Sequence, residues 1–335
     1  MLETDLRQYC YETSLSVLIG ENGSGKSQAL ADLAEVYISK GRNVIAISNC
    51  LFDKFRDRGR RYNFIGYRYG QQSIGYALKK VIESIKEPSL ARYNVGEVLS
   101  YLGYSPEIGI CQEDRKAHIE WYDLRSSYSN REGSAERWKL NLSKAELKNW
   151  PAIFLSKNDK PVPLELASSG EIQLFTTLAF IASYITKETT ILIDEPENSL
   201  HPRWQSEYIQ RIFDKFYLNN PIVVIATHAP LLVTEAMHIE QCRVYRMSRN
   251  DAQPLPFQEN GVEQVLWDVF RILTPRSAFL SRHLASLLHR LEINEISLTD
   301  FNLEFNDLLV ASKSDHRQQD LLYRARSLVA NDSRS

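Results

Sequence analysis

Cysteine is scarce in this chain, 4 among 335 residues, and Cys10, Cys50, Cys111 and Cys242 stand far apart with no paired spacing. Neither a disulfide framework nor a zinc site is implied, and the thiols fit reduced structural residues of a cytoplasmic protein. An excess of one charge is also lacking, since 40 basic against 42 acidic side chains leave a formal net charge of -2. This balance neither announces nor excludes nucleic acid, because a local groove can be basic on a neutral protein. No apolar run approaches a bilayer span and no basic-plus-apolar leader is present, so a soluble, intracellular protein without a membrane partner is expected. Internal repeats, low-complexity tracts and heptads sustained over three repeats are absent as well, which argues against long coiled coils. No His-Asn-His-like metal pattern and no cysteine–histidine nucleophile pair is visible, so intrinsic nuclease activity is not expected.

What is present is an ordinary globular composition, 43% hydrophobic and 24% charged, in a length that suits one large α/β core with an added subdomain. The apolar run Leu15 to Ile19 reads as a buried strand. After it come Gly20, Glu21, Asn22, Gly23, Ser24, Gly25, Lys26 and Ser27, a full Walker A pattern, and then a helix-like segment to Ser39. Glycines free such a loop to wrap a phosphate, Lys26 can reach the terminal phosphates of ATP, and the Ser27 hydroxyl can hold Mg2+. Farther on, Ile191-Leu192-Ile193 reads as a strand ending in Asp194 and Glu195. Asp194 can approach the same magnesium, and Glu195 can orient or deprotonate water in line with the terminal phosphate. Between these motifs, Ser168, Ser169 and Gly170 precede an amphipathic helix, where they suit either an anion-binding helix N-terminus or a plain N-cap. Arg56, Arg58, Arg60 and Arg61 could form a phosphate-facing patch, although a solvated loop face is the stronger reading.

The order of Walker A, Ser-Ser-Gly-Glu, Ile-Asp-Glu-Pro and Thr227-His228-Ala229-Pro230 resembles the ATP-binding-cassette class of ATPases. Asp194-Glu195-Pro196-Glu197 and Ser199-Leu200-His201-Pro202 look most like its soluble branch. That branch includes chromosome-maintenance and DNA-repair ATPases, overcoming-lysogenization-type nucleases and bacterial antiphage ATPases. The resemblance implies that Ser168 and Gly170 contact the terminal phosphate held by an opposite protomer. It also implies that His228 is the switch histidine, and that Ser199 to His201 form a loop communicating across a dimer. Gln71 or Gln72, with Gln71 favoured, stands where the family links magnesium to its helical subdomain. The expected catalytic residues are thus Lys26, Glu195 and His228, the expected metal ligands Ser27, Asp194 and Gln71, and the expected cofactors ATP and Mg2+. With one Walker A and one signature stretch, self-association through a composite ATP site is implied.

The expected fold class is α/β, an ABC-type P-loop NTPase core with a mostly parallel sheet. Residues 1–72 and 166–252 would form that core, 73–165 a mostly helical insert, and 253–335 a helical C-terminal module. The segment Gly261 to Phe270 and its helical tail resemble those of the Septu and retron-associated ATPases, which act with a separate nuclease. A defence ATPase that controls an effector is therefore the leading expectation. The alternative is a DNA-repair or chromosome-maintenance ATPase acting as a nucleotide-dependent DNA clamp, and direct contact with DNA or RNA stays open.

Overall fold

The computed structural model describes residues 15–50, 52–66, 77–78, 80–83, 89–111, 119–125, 152–198, 200–239, 242–248, 251–255, 261–273, 279–312 and 315–332. The chain divides into two compact units, Met1–Phe257 and Gln258–Ser335.

The first unit is built on a seven-stranded sheet of order β11-β10-β1-β9-β8-β2-β3. In chain order its strands are β1 (Leu15–Ile19), β2 (Asn43–Ser48), β3 (Tyr62–Gly66), β8 (Thr189–Asp194), β9 (Ile222–Thr227), β10 (Cys242–Ser248) and β11 (Asp251–Pro254). All neighbours pair in parallel except β10 with β11. β1, β8 and β9 are buried at every position, as expected for parallel strands covered on both faces. β11 carries Pro254 on the sheet edge, where a missing N–H costs no ladder bond.

Helix α1 (Lys26–Ser39) lays Leu30, Leu33, Ala34 and Tyr37 against Leu18, Val44, Ala46, Leu192, Val224 and Ala226. These strand residues alternate along their strands and so share one face of the sheet. Helix α3 (Ser169–Tyr184) contacts β2, helix α5 (Pro230–Ala236) contacts β1, and helix α4 (Pro202–Phe216) packs on both α3 and α5.

The insert departs from its expected helical character. Among the described residues of 73–165, one long helix, α2 (Leu90–Tyr101), is joined by β4 (Glu107–Cys111), β5 (Glu120–Asp123), β6 (Ala152–Lys157) and β7 (Lys160–Pro163). These strands form an antiparallel sheet of order β5-β4-β6-β7. Short strands of four to six residues give too few alternations to stand out from a helical period. The Asn158–Asp159 turn, both residues with positive φ, is the local hairpin signal within this stretch. Helix α2 buries Val95, Val98 and Leu99 and contacts α3.

The second unit contains α6 (Val262–Phe270), α7 (Phe279–Glu292), α8 (Leu298–Ala311) and α9 (His316–Asp332). Trp267, Phe279, Leu284, Phe301, Phe305 and Leu322 share its core. The start of α8 is marked by the Ser297/Asp300 capping box.

Candidate functional site

Parallel pairing brings the carboxyl ends of β1, β9, β8 and β2 to one edge of the sheet, the usual place for a ligand in such folds. Ile19 pairs with Thr227, Asp194 with Ala226, and Ser48 with Asp194. Every turn that leaves these four ends therefore starts beside the others.

From β1 the chain enters the glycine-rich loop. A Cβ at Gly20 would stand 2.6 Å from the Met247 carbonyl oxygen, so no larger residue fits without displacing backbone. Gly23 and Gly25 have φ of 81° and 96°, the left-handed region that suits glycine. Gly25 caps α1 without a side-chain hydrogen bond, and the first turn holds no acidic residue. The first N–H groups of the helix are thus left for an anion. The Ser24 hydroxyl is buried without a partner. Lys26, 4% exposed, folds back so that its Nζ donates to the carbonyls of Gly20 at 2.8 Å and Glu21 at 2.9 Å. Burial lowers the lysine pKa, against the raising effect of Glu195, Asp194 and Glu197.

Asp194, at the end of β8, is fully buried, and neither carboxylate oxygen accepts a hydrogen bond of good geometry. Burial pushes its pKa up to about 6; the nearby Ser27 hydroxyl and Lys26 pull down, and the Glu195 charge adds to the rise. Buried carboxylate oxygens without donors, beside a serine hydroxyl, are oxygen ligands of the kind that suits a hard divalent cation.

Glu195 takes a left-handed backbone, φ 50°, held by its N–H to the Ala226 carbonyl at 2.8 Å. For a non-glycine residue such strain is kept where the surroundings fix it, commonly at functional sites. Burial acts to raise its pKa but is outweighed by hydrogen bonds from Cys50 and Asn198 and by the charges of His228 and Lys26, so the net shift is downward. Asn198 Nδ2 bridges Glu195 Oε2 at 2.9 Å and the Asn49 carbonyl at 3.2 Å. His228 follows β9, with Nδ1 3.6 Å from Glu195 and 3.1 Å from Glu197.

Lys26, Asp194, Glu195 and His228, far apart in sequence, thus converge, with Ser27 adjoining. The Ser168 hydroxyl is engaged locally: it accepts from Glu171 N–H at 3.2 Å and donates to Glu171 Oε2 at 3.0 Å, a complete capping box on α3. The cap reading of this stretch describes the single chain. Gly170 is buried in the first turn of α3 and Ser169 opens that helix. Glu21 and Asn22 are exposed on the loop. His201 caps α4 through Nδ1, which accepts from Arg203 N–H at 3.3 Å. Gln71, Gln72 and Ser199 lie outside the described residues. Of the arginine cluster, Arg56 pairs with Glu35 at 3.1 Å and Arg61 donates to the Gly41 carbonyl at 2.7 Å, ties that fit the loop-face reading.

Cys50, Asn49, Glu197 and Asn198 join the site without having been singled out by any sequence motif for a role in it. The available signal is position: Asn49 and Cys50 follow a strand that neighbours β8, and Glu197 and Asn198 sit in the turn that follows Glu195.

Fold and site together define an α/β protein of P-loop NTPase-like architecture. Residues 111–234 match a family described as AAA domain, putative AbiEii toxin, Type IV TA system. The matched stretch includes Asp194, Glu195 and His228 and starts beyond the glycine-rich loop. That stretch is thus similar to an AAA-type ATPase domain of a family associated with toxin–antitoxin systems. The match names no chromosome-maintenance or repair subfamily, so it is coarser than the resemblance drawn from the motifs. Protein ea59 of Escherichia phage lambda is 25% identical over 265 residues, covering 67% of this chain and 47% of that protein. The chain therefore spans about half the length of this curated relative. Among solved structures, a putative metal-chelate type ABC transporter in an inward-facing conformation is similar at 16% identity and a TM-score of 0.38, covering 78% of this chain and 79% of that one. VirB4 of Thermoanaerobacter pseudethanolicus follows at 10% identity and 0.28, covering 75% and 91%. Among the described residues no helix is long and apolar enough to cross a membrane.

Proposed function

We propose that this chain is the ATP-binding and ATP-hydrolysing switch subunit of a bacterial antiphage defence complex that controls a separate nuclease or other effector. The observation that carries the ATPase half is the convergence of Lys26, Asp194, Glu195 and His228 at the ends of neighbouring parallel strands. The family description, with its toxin–antitoxin association, supports the defence half.

In this reading Lys26 leaves the Gly20 and Glu21 carbonyls to meet the terminal phosphates, while the loop glycines and the α1 N-terminus cradle them. Ser27 and Asp194 hold Mg2+, with Gln71 or Gln72 as the proposed further ligand. When bound, the metal ion supplies charge neutralisation at the phosphates. Glu195, kept ionised by its surroundings, orients water and accepts its proton, and His228 contacts the terminal phosphate. Ser168 and Gly170 of a second copy complete the composite site, so self-association depends on ATP. Breaking the ATP contact would then release or reposition the effector.

Purification together with the product of the adjacent gene tests this. The expected result is a complex whose effector activity differs between ATP and a non-hydrolysable analogue. An effector indifferent to nucleotide, or the absence of any complex, counts against the switch role.

A further inference from the structure

Glu197 lies two residues beyond Glu195, and its side chain is 4% exposed where that of its neighbour His228 is 41% exposed. One of its oxygens, Oε1, gathers three groups from the end of β9. It accepts hydrogen bonds from the Thr227 hydroxyl at 2.7 Å and from the His228 backbone N–H at 2.7 Å. The His228 ring places Nδ1 at 3.1 Å from the same oxygen. The Thr227 hydroxyl in turn accepts from Ala229 N–H at 2.9 Å, so the chain on both sides of His228 is tied to one carboxylate. Glu197 is itself anchored, since its carbonyl accepts from Leu200 N–H at 3.0 Å and the preceding Pro196 carbonyl accepts from the Gln173 amide at 3.0 Å.

Glu197 Oε1 thus holds the chain at His228 through the Thr227 hydroxyl and the His228 N–H, while the ring lies with Nδ1 against the same carboxylate, close but without a hydrogen bond of good geometry. Nε2, on the far side of the ring, is then left for a ligand in the exposed half of the site. From this we infer that Glu197 is a positioning residue for hydrolysis: it sets the main chain and the ring of His228 so that Nε2 meets the terminal phosphate. This role rests on the ATPase reading above. Glu195 Oε1 is farther from Nδ1, at 3.6 Å, and the Thr227 hydroxyl and the His228 N–H are held by Glu197 instead.

Reach, rather than charge alone, is what the geometry requires. Glu197→Gln keeps an oxygen in reach of the Thr227 hydroxyl and the His228 N–H, at the cost of an amide nitrogen buried where Oε2 has no partner. Glu197→Asp does the reverse, keeping the charge and withdrawing the oxygen by one methylene. Steady-state ATP turnover and binding of a non-hydrolysable ATP analogue separate these cases. His228→Ala and Glu197→Asp are each expected to lower kcat by about tenfold or more, with analogue affinity held within about threefold, while Glu197→Gln, which keeps the reach, costs clearly less than Glu197→Asp. In the His228→Ala background, Glu197→Asp should cost less than about twofold further, because both changes remove one interaction. Unchanged kcat in Glu197→Asp, a loss that multiplies with that of His228→Ala, equal damage from Glu197→Gln, or a fall in kcat matched by lost analogue binding would each overturn the role. If His228→Ala alone turns over normally, the histidine has no part and the role falls with it. If the unsubstituted chain binds the analogue but hydrolyses nothing, the ATPase reading falls first, and that outcome is distinct from the others.

Discussion

Lys26 reaches back to Gly20, its ammonium donating to that residue's carbonyl oxygen at 2.8 Å across the loop that both residues bound. The lysine is buried, short of solvent, and faces three carboxylates, so its charge is held for a ligand that can replace two carbonyls. Lys26→Ala is expected to weaken ATP binding by about tenfold or more, since a charge-assisted contact to phosphate is lost. Titration calorimetry checks this, and an unchanged affinity would remove the pocket assigned to the loop.

Gly20 has a second, purely steric duty. A Cβ at this position would press on the Met247 backbone carbonyl at 2.6 Å, because β1 and β10 approach too closely there for any side chain. Gly20→Ala should therefore destabilise the first unit by roughly 1–3 kcal/mol, the usual cost of overpacking a close-fitted core. A chemical denaturation midpoint equal to that of the parent would show that the strands yield freely.

Asp194 links function to stability through pH. Unfolded, it ionises near its ordinary 3.8; folded and without metal, near 6. Between those values the folded chain holds the extra proton, so this residue's contribution to stability falls as pH rises from about 4 to about 6, then stays low. Asp194→Asn removes the buried charge and in magnesium-free buffer should raise stability at about pH 8 by on the order of 1–3 kcal/mol, with a smaller gain at about pH 5. The same substitution should abolish magnesium-dependent turnover. Thermal melts at the two pH values decide it, and an equal gap at both would contradict the assignment.

The core of this site is legible in the sequence because each half carries a local rule. A glycine-rich turn between a buried strand and a helix, and an apolar strand ending in two carboxylates, declare their geometry without tertiary information. Glu197 and Cys50 do not: they come beside Glu195 and His228 only when β2, β8 and β9 lie side by side, and pairing order is not written in any one segment. The antiparallel sheet of the insert is hidden for a related reason. β5 and β7 have four residues each, too short for alternation to compete with the helical periods around them. Ser168 stands between two readings, and in the single chain its capping box with Glu171 is the one observed.

If Ser168 and Gly170 of one copy face the nucleotide of another, Glu195→Gln, which should trap unhydrolysed ATP, is expected to shift the chain to a dimer in the presence of ATP and Mg2+. Light scattering after gel filtration reads the mass directly. A monomer with saturating ATP would remove the composite site, and a dimer that ignores nucleotide would place its interface elsewhere.

The most direct test of the ATPase account measures phosphate release and ATP affinity side by side for the parent chain and Glu195→Gln. Affinity is expected to hold within about threefold while kcat falls by about a hundredfold or more, the loss of a positioned general base. Turnover that survives the substitution unchanged would contradict it.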